Sequence, residues 1–175
     1  MSLKPQDTGK GNNDWKEAFR IIKGKRDLNK IVEFGLGEGS KLLKKKCNYL
    51  HSIEIVVNQE QFGWADYVAS ELKDYGENYR QSVIEYTDTW DDTLQAKIDE
   101  VFEEEYDLAF VDSGCHCRGE LVNYCLRKNI PIVMAHDTNH GFDKYGWDLI
   151  DNRDLYKKVS FPDGEGTSVY VLCRK

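Results

Sequence analysis

Two groups of residues in this 175-residue chain have the types and the spacing to do chemistry. The first is Glu33-Phe34-Gly35-Leu36-Gly37-Glu38-Gly39-Ser40, with three glycines at alternate positions and carboxylates beside them. Glycines in such a turn let the backbone bend sharply and let a ligand reach amide N–H groups with no Cβ in the way. The spacing is G-x-G-x-G, whereas dinucleotide loops carry G-x-G-x-x-G, whose third glycine serves close helix packing. Glu33 and Glu38 would also repel a pyrophosphate, so a ligand bearing positive charge suits this loop better. About twenty residues further on, Glu54 closes Ile53-Glu54-Ile55, where a carboxylate can accept both hydroxyls of a ribose.

The second group is split between Val111-Asp112-Ser113-Gly114-Cys115-His116-Cys117-Arg118-Gly119-Glu120 and Ala135-His136-Asp137-Thr138-Asn139-His140, which together hold three of the four histidines. His116 is the candidate general base, because an imidazole titrates near neutrality. Asp112 and Asp137 offer the alternative of holding a divalent cation such as Mg²⁺, which would acidify a bound hydroxyl. A zinc site is disfavoured, since C-x-C places the two thiols closer in sequence than structural zinc ligands usually stand. Each reading competes with a plainer one: His116 as a surface residue at a helix start, Asp137 as a helix cap.

These residues need a scaffold that brings loop ends together, and the hydrophobic pattern supplies one. Strands are expected at Lys30–Phe34, Leu50–Val57, Gln81–Tyr86, Tyr106–Val111 and Ile130–Ala135, each short and β-branched or apolar. Helical periodicity marks 14–23, Ser40–Lys46, Gln59–Tyr75, a segment around Leu94 to Phe102, a segment around Leu121 to Leu126, and Phe142–Ile150. Lys157–Phe161 and Ser168–Cys173, joined through Pro162-Asp163-Gly164-Glu165-Gly166, read as a terminal hairpin. The order implies a Rossmann-like three-layer α/β/α fold, with a seven-stranded, mostly parallel sheet and one antiparallel strand contributed by the hairpin. In such sheets ligands sit beyond the carboxyl ends of the strands, where strand order reverses, and both groups of residues fall there.

E-x-G-x-G-x-G after the first strand, followed by an acid at the tip of the second, resembles the first two motifs of the class I S-adenosylmethionine-dependent methyltransferases. The resemblance runs from about residue 30 to the end, because that fold also finishes its sheet with a hairpin. It implies S-adenosylmethionine as cofactor, with Glu33 near the methionine amine, Gly35, Gly37 and Gly39 around the cofactor, and Glu54 on the ribose. Asp88 falls where the family often places a residue near the adenine amine, although it equally suits a helix cap. Asp112, the histidine four residues on and the later His136-Asp137 are similar to elements of a small-molecule and sugar O-methyltransferase subgroup. There Asp112 borders the cofactor, and His116, Asp112 and Asp137 carry the chemistry. Ser113-Gly114-Cys115 departs from that subgroup's wording, and Lys128-Asn129-Ile130-Pro131 replaces its Pro-Gly-Gly turn.

Composition narrows the rest. With 24 Lys and Arg against 31 Asp and Glu, the net charge of −7 disfavours general attraction to nucleic acid. No apolar run is long enough to span a membrane, and five scattered cysteines without a secretory leader read as reduced thiols in a cytoplasmic protein. Residues 1–13 read as a disordered leader and 14–175 as one domain, whose acceptor would be a small molecule or glycan at a site that is open or completed by a homo-oligomer. Two other functions compete: a nucleotide- or NAD-dependent enzyme on a related sheet, and a non-catalytic binding module that keeps the fold.

Overall fold

Near-continuous apolar runs in the central strands dictate a sheet covered on both faces. The computed structural model, which describes residues 14–87, 89–103, 105–139, 142–151 and 154–173, shows how that sheet is covered. Helix α1 (Asp14–Lys23) leads into β1 (Lys30–Phe34), α2 (Glu38–Lys44), β2 (Tyr49–Val56) and α3 (Gln59–Leu72). Then come β3 (Tyr79–Glu85), α4 (Asp92–Val101), β4 (Leu108–Val111), α5 (Arg118–Arg127) and β5 (Ile132–His136). A single turn α6 (Phe142–Tyr145) precedes the hairpin of β6 (Tyr156–Phe161) and β7 (Thr167–Leu172). The leader assigned to residues 1–13 lies outside the described residues.

The strands stand in the order β3-β2-β1-β4-β5-β7-β6. β7 runs antiparallel to both β5 and β6, and the other pairings are parallel. Strand order therefore reverses between β1 and β4, which pair from Ile31 against Leu108 to Phe34 against Val111. Odd and even positions go to opposite layers. Val32, Phe34, Ala109, Val111, Val133 and Ala135 pack with Leu94 and Ile98 of α4 and Leu121, Val122 and Cys125 of α5. Ile31, Leu108, Phe110, Ile132 and Met134 pack with Trp15, Ala18, Phe19 and Ile22 of α1 and Leu43 of α2. Each Val, Leu, Ile, Phe or Met among them, taken fully from water, contributes roughly 1.5–3 kcal/mol, which fixes the register of the central strands.

Three departures from the expected elements have identifiable physical causes. The helix expected at Phe142–Ile150 is broken at Gly146, which adopts φ +67°, and resumes only as a 3₁₀ turn over Trp147–Leu149. The break lets Gly146 press on α5, where a Cβ on Gly119 would lie 1.9 Å from the Gly146 carbonyl oxygen. α3 stops at Leu72 and passes into a 3₁₀ stretch over Lys73–Asn78 that kinks at Gly76, at φ +53°. β4 starts at Leu108, because Tyr106 turns away to bond its hydroxyl to His51 Nδ1 at 2.6 Å. No disulfide links the five cysteines, and among the described residues no helix is long and apolar enough to cross a membrane.

Candidate active site

The glycine loop leaves β1 under tight steric control. Gly35 sits at φ +103°, and a Cβ there would fall 2.4 Å from the Asp112 carbonyl oxygen, so only glycine lets the loop pass the end of β4. At Gly37 the backbone is extended, and a Cβ would meet nothing nearer than Gly39 N at 3.9 Å. Gly39 faces another way, toward the Trp15 ring of α1 at 3.5 Å. The apex is pinned from two sides. Leu36 N–H donates to Glu54 Oε2 at 2.6 Å, and Trp64 Nε1–H on α3 donates to the Leu36 carbonyl at 2.7 Å.

Beneath the loop lies Glu33, 1% exposed, whose carboxyl takes a very short hydrogen bond from the Ser52 hydroxyl. Burial pushes its pKa up to about 8; the Ser40 and Ser52 hydroxyls pull it back, and the neighbouring Asp112 and Glu54 carboxylates push it further up. Ser40 Oγ also accepts the Gly37 N–H at 3.1 Å, so Glu33 steadies the loop through Ser40. Glu33 is thus a support under the loop. Glu54, at the carboxyl end of β2, is raised to about 7 by burial, against the Leu36 N–H, which lowers it, and with the Asp112 charge, which raises it.

Between these parts opens a cleft of about 500 Å³, bordered by Gly35, Leu36, Glu54, Trp64, Asp112 and Arg118. It stands at the carboxyl ends of β1 and β4, where strand order reverses. A larger cavity of about 810 Å³ lies at the other end of the strands, before β4 and β5, around Asp107 and Lys128. Its polar groups are committed elsewhere: Asp107 accepts the Asn29 and Lys30 amides at 2.8 and 2.9 Å, and Lys128 pairs with Asp99 at 2.7 Å.

Behind Asp112 and Arg118, which border the cleft, the structure brings Asp112 and Asp137 together, as their loops predict, around a residue the spacing argument passed over. Arg118 Nη1 lies 3.2 Å from Asp112 Oδ1 and 2.7 Å from Asp137 Oδ2, while Nε donates to the Ser113 carbonyl and the guanidinium covers the Tyr145 ring at 4.1 Å. An arginine in the first turn of a helix opposes the macrodipole. Its position at the start of α5 was therefore the signal that a carboxylate outside the helix must pair with it. His136 joins the group, with Nδ1 at 3.3 Å from Asp112 Oδ1 and 3.2 Å from Asp137 Oδ1. Asp137 holds φ +61°, in the left-handed region that few residues other than glycine, asparagine and aspartate adopt. His116 is exposed on the turn between Cys115 and Cys117; neither it nor His136 borders the cleft directly, but His136 meets Asp112, which does. The imidazole beside Asp112 is His136. Asp88 lies outside the described residues.

Asp112, His136 and Asp137 place three ligand atoms within 4.8 Å of one another, the donor set a divalent cation would need. Arg118 decides against Mg²⁺: its buried guanidinium already bridges the two carboxylates and supplies the positive charge between them. A nitrogen third ligand is also foreign to Mg²⁺, which prefers oxygen donors.

No protein-family model matches the sequence, and no curated protein matches it significantly. The fold, however, is shared with solved structures. A putative caffeoyl-CoA O-methyltransferase from Staphylococcus aureus superimposes with a TM-score of 0.61 at 14% identity, over 99% of this chain and 86% of that one. An O-methyltransferase from Bacillus cereus in complex with SAH gives 0.61 at 15% identity, over 98% and 83%. Fibrillarin from Aeropyrum pernix with natively bound S-adenosyl-L-methionine gives 0.54 at 12% identity, over 91% and 76%. The chain has the Rossmann-like fold of the class I S-adenosylmethionine-dependent methyltransferases.

Proposed function

We propose that this protein is an S-adenosylmethionine-dependent methyltransferase acting on a hydroxyl of a small-molecule or glycan acceptor. The observation that carries the reading is Glu54: a buried carboxylate at the end of β2, tied to the glycine-loop apex and facing the cleft at the point of strand reversal. The cleft fits the cofactor chemically. Glu54, Glu60 and Asp112 border it, carboxyl groups that suit a sulfonium and an amine better than a pyrophosphate. Gly35 and Gly37 present backbone, Glu54 takes the ribose diol, and Trp64 forms the outer wall.

Bound S-adenosylmethionine would supply an electrophilic methyl group. The chain's own work is alignment and proton removal. His136, within reach of Asp112, is the base we assign to the acceptor hydroxyl, in preference to the exposed His116. Arg118 holds both carboxylates in place. A second reading, binding without turnover, has one observation in its favour: Arg118, Asp112, Asp137 and His136 satisfy one another.

The test is thermal unfolding with excess S-adenosylhomocysteine or NAD, on the native chain and on Glu54→Ala. At a hundredfold excess over Kd, S-adenosylhomocysteine should add about 2.7 kcal/mol, or about 5–10 °C in the midpoint, and the variant should lose most of that rise. A rise with NAD alone, or none with either ligand in folded protein, would overturn the reading. Stabilisation without methyl transfer to any hydroxyl acceptor would favour the binding module.

A further inference from the structure

Cys115 and Cys117 put two thiols into the loop that joins Asp112 to Arg118. Their sulfurs are 3.1 Å apart, and both side chains are buried, at 1% and 3% exposure, against the apolar layer of α5. Gly114 and His116, on either side of Cys115, are exposed, so the loop that carries the two thiols lies at the surface. We propose that Cys115 and Cys117 form an oxidisable dithiol, a modification site that closes to an intraloop disulfide in exchange with a low-molecular-weight disulfide.

The geometry asks for little movement. A disulfide bond measures about 2.05 Å, so the sulfurs approach by about 1 Å. One thiol loses its proton to solvent and attacks the external disulfide, expelling one thiolate and leaving a mixed disulfide. The second thiol, deprotonated in turn, attacks the protein sulfur of that mixed disulfide and expels the other thiolate. The protein gives up two electrons and two protons, and the external disulfide becomes two thiols.

The site is placed to be felt by the cleft. Cys117 caps the N-terminus of α5, and its carbonyl accepts the Leu121 N–H at 3.0 Å. Ser113 Oγ accepts the Cys115 N–H at 3.3 Å, and the Ser113 carbonyl accepts Arg118 Nε. Drawing the two cysteines together shortens the segment between Ser113 and Arg118 and pulls on the guanidinium that bridges Asp112 and Asp137. The inference does not depend on what the cleft binds.

Trypsin isolates the pair: residues 98–118 form one peptide with Cys115 and Cys117 and no other cysteine, while Cys47, Cys125 and Cys173 fall in separate peptides. The full chain would be equilibrated in graded ratios of reduced to oxidised glutathione, trapped with an alkylating agent, digested and weighed. Hydrogen exchange would be followed over residues 112–121. The expected result is a 98–118 peptide two hydrogens lighter, restored by dithiothreitol, at ratios where the buried Cys125 is still alkylated after unfolding, with faster exchange around Arg118. Alkylation of both thiols at every ratio, or a lasting glutathione adduct on one beside an alkylated other, would overturn the dithiol. A disulfide that leaves exchange over 112–121 unchanged would overturn its coupling to the cleft.

Discussion

Replacing Glu33 by Gln exchanges a buried titrating carboxyl for an amide of nearly the same shape, and so isolates the free energy of ionising it beneath the glycine loop. In the fold burial raises this group from 4.5 to about 8. The native state then binds the proton more tightly than the unfolded chain, so the group stabilises most below about pH 4.5, and that stability is lost as pH rises toward about 8. Between about pH 5.5 and about pH 8.5 the loss comes to roughly 3 kcal/mol, from RT ln of the ratio of the two binding polynomials. For a chain of this length that is about 6–12 °C in midpoint. His51 works in the opposite direction. Burial lowers its imidazole to about 4 between Tyr106 and Ser82, so below about pH 6.5 the unfolded chain takes a proton that the native site refuses, costing roughly 1 kcal/mol at about pH 5.5. Both proteins carry His51 and Glu54, so the difference between wild type and Glu33→Gln cancels their shared part. Urea unfolding at the two pH values should show wild type falling relative to the variant by roughly 3 kcal/mol as pH rises. Parallel profiles, within about 1 kcal/mol, would mean that Glu33 ionises freely in the fold, and would refute the account of the loop's support.

The two glycines of the loop should separate stability from binding. Gly35→Ala meets both a positive φ and the Asp112 carbonyl, and should cost roughly 3 kcal/mol or more in urea unfolding. Gly37→Ala should leave stability within about 0.5 kcal/mol and instead weaken S-adenosylhomocysteine binding, measured by calorimetry. Once an acceptor hydroxyl is in hand, His136→Ala should lower the single-turnover rate by about 10²-fold or more, while His116→Ala changes it by less than about threefold. The reverse order would return the base to His116.

The sheet was legible because periodicity reports burial directly. Ile31 and Val32 are neighbours in sequence and belong to opposite layers, and that alternation recurs at Leu108 and Ala109 and at Ile132 and Val133. The glycine loop and Glu54 were legible for a different reason: a strand end, a bend and an acid at fixed offset leave few backbone solutions. What stayed hidden was set by contacts between distant segments. Nothing local in Phe142–Ile150 reveals that Gly119 needs Gly146 to come within contact of it, which breaks the helix.

The histidines show the same limit more sharply. By spacing, His116 stands four residues after Asp112 and looks like its partner, but the turn Ser113–Cys117 is folded so that its thiols enter the core and the residue between them faces solvent. His136, on the neighbouring strand, ends beside Asp112 because β4 and β5 pair in parallel from Ala109 with Val133 to Val111 with Ala135. Register, not sequence distance, decides which imidazole meets the acid. The same register carries Asp137 to the other side of Arg118, so one buried cation answers two carboxylates. Glu33 and Glu54 have no such cation, and burial holds them toward the protonated form. A cationic ligand entering this cleft would draw both toward ionisation, and so gains most from the part of the site that the protein itself leaves uncompensated.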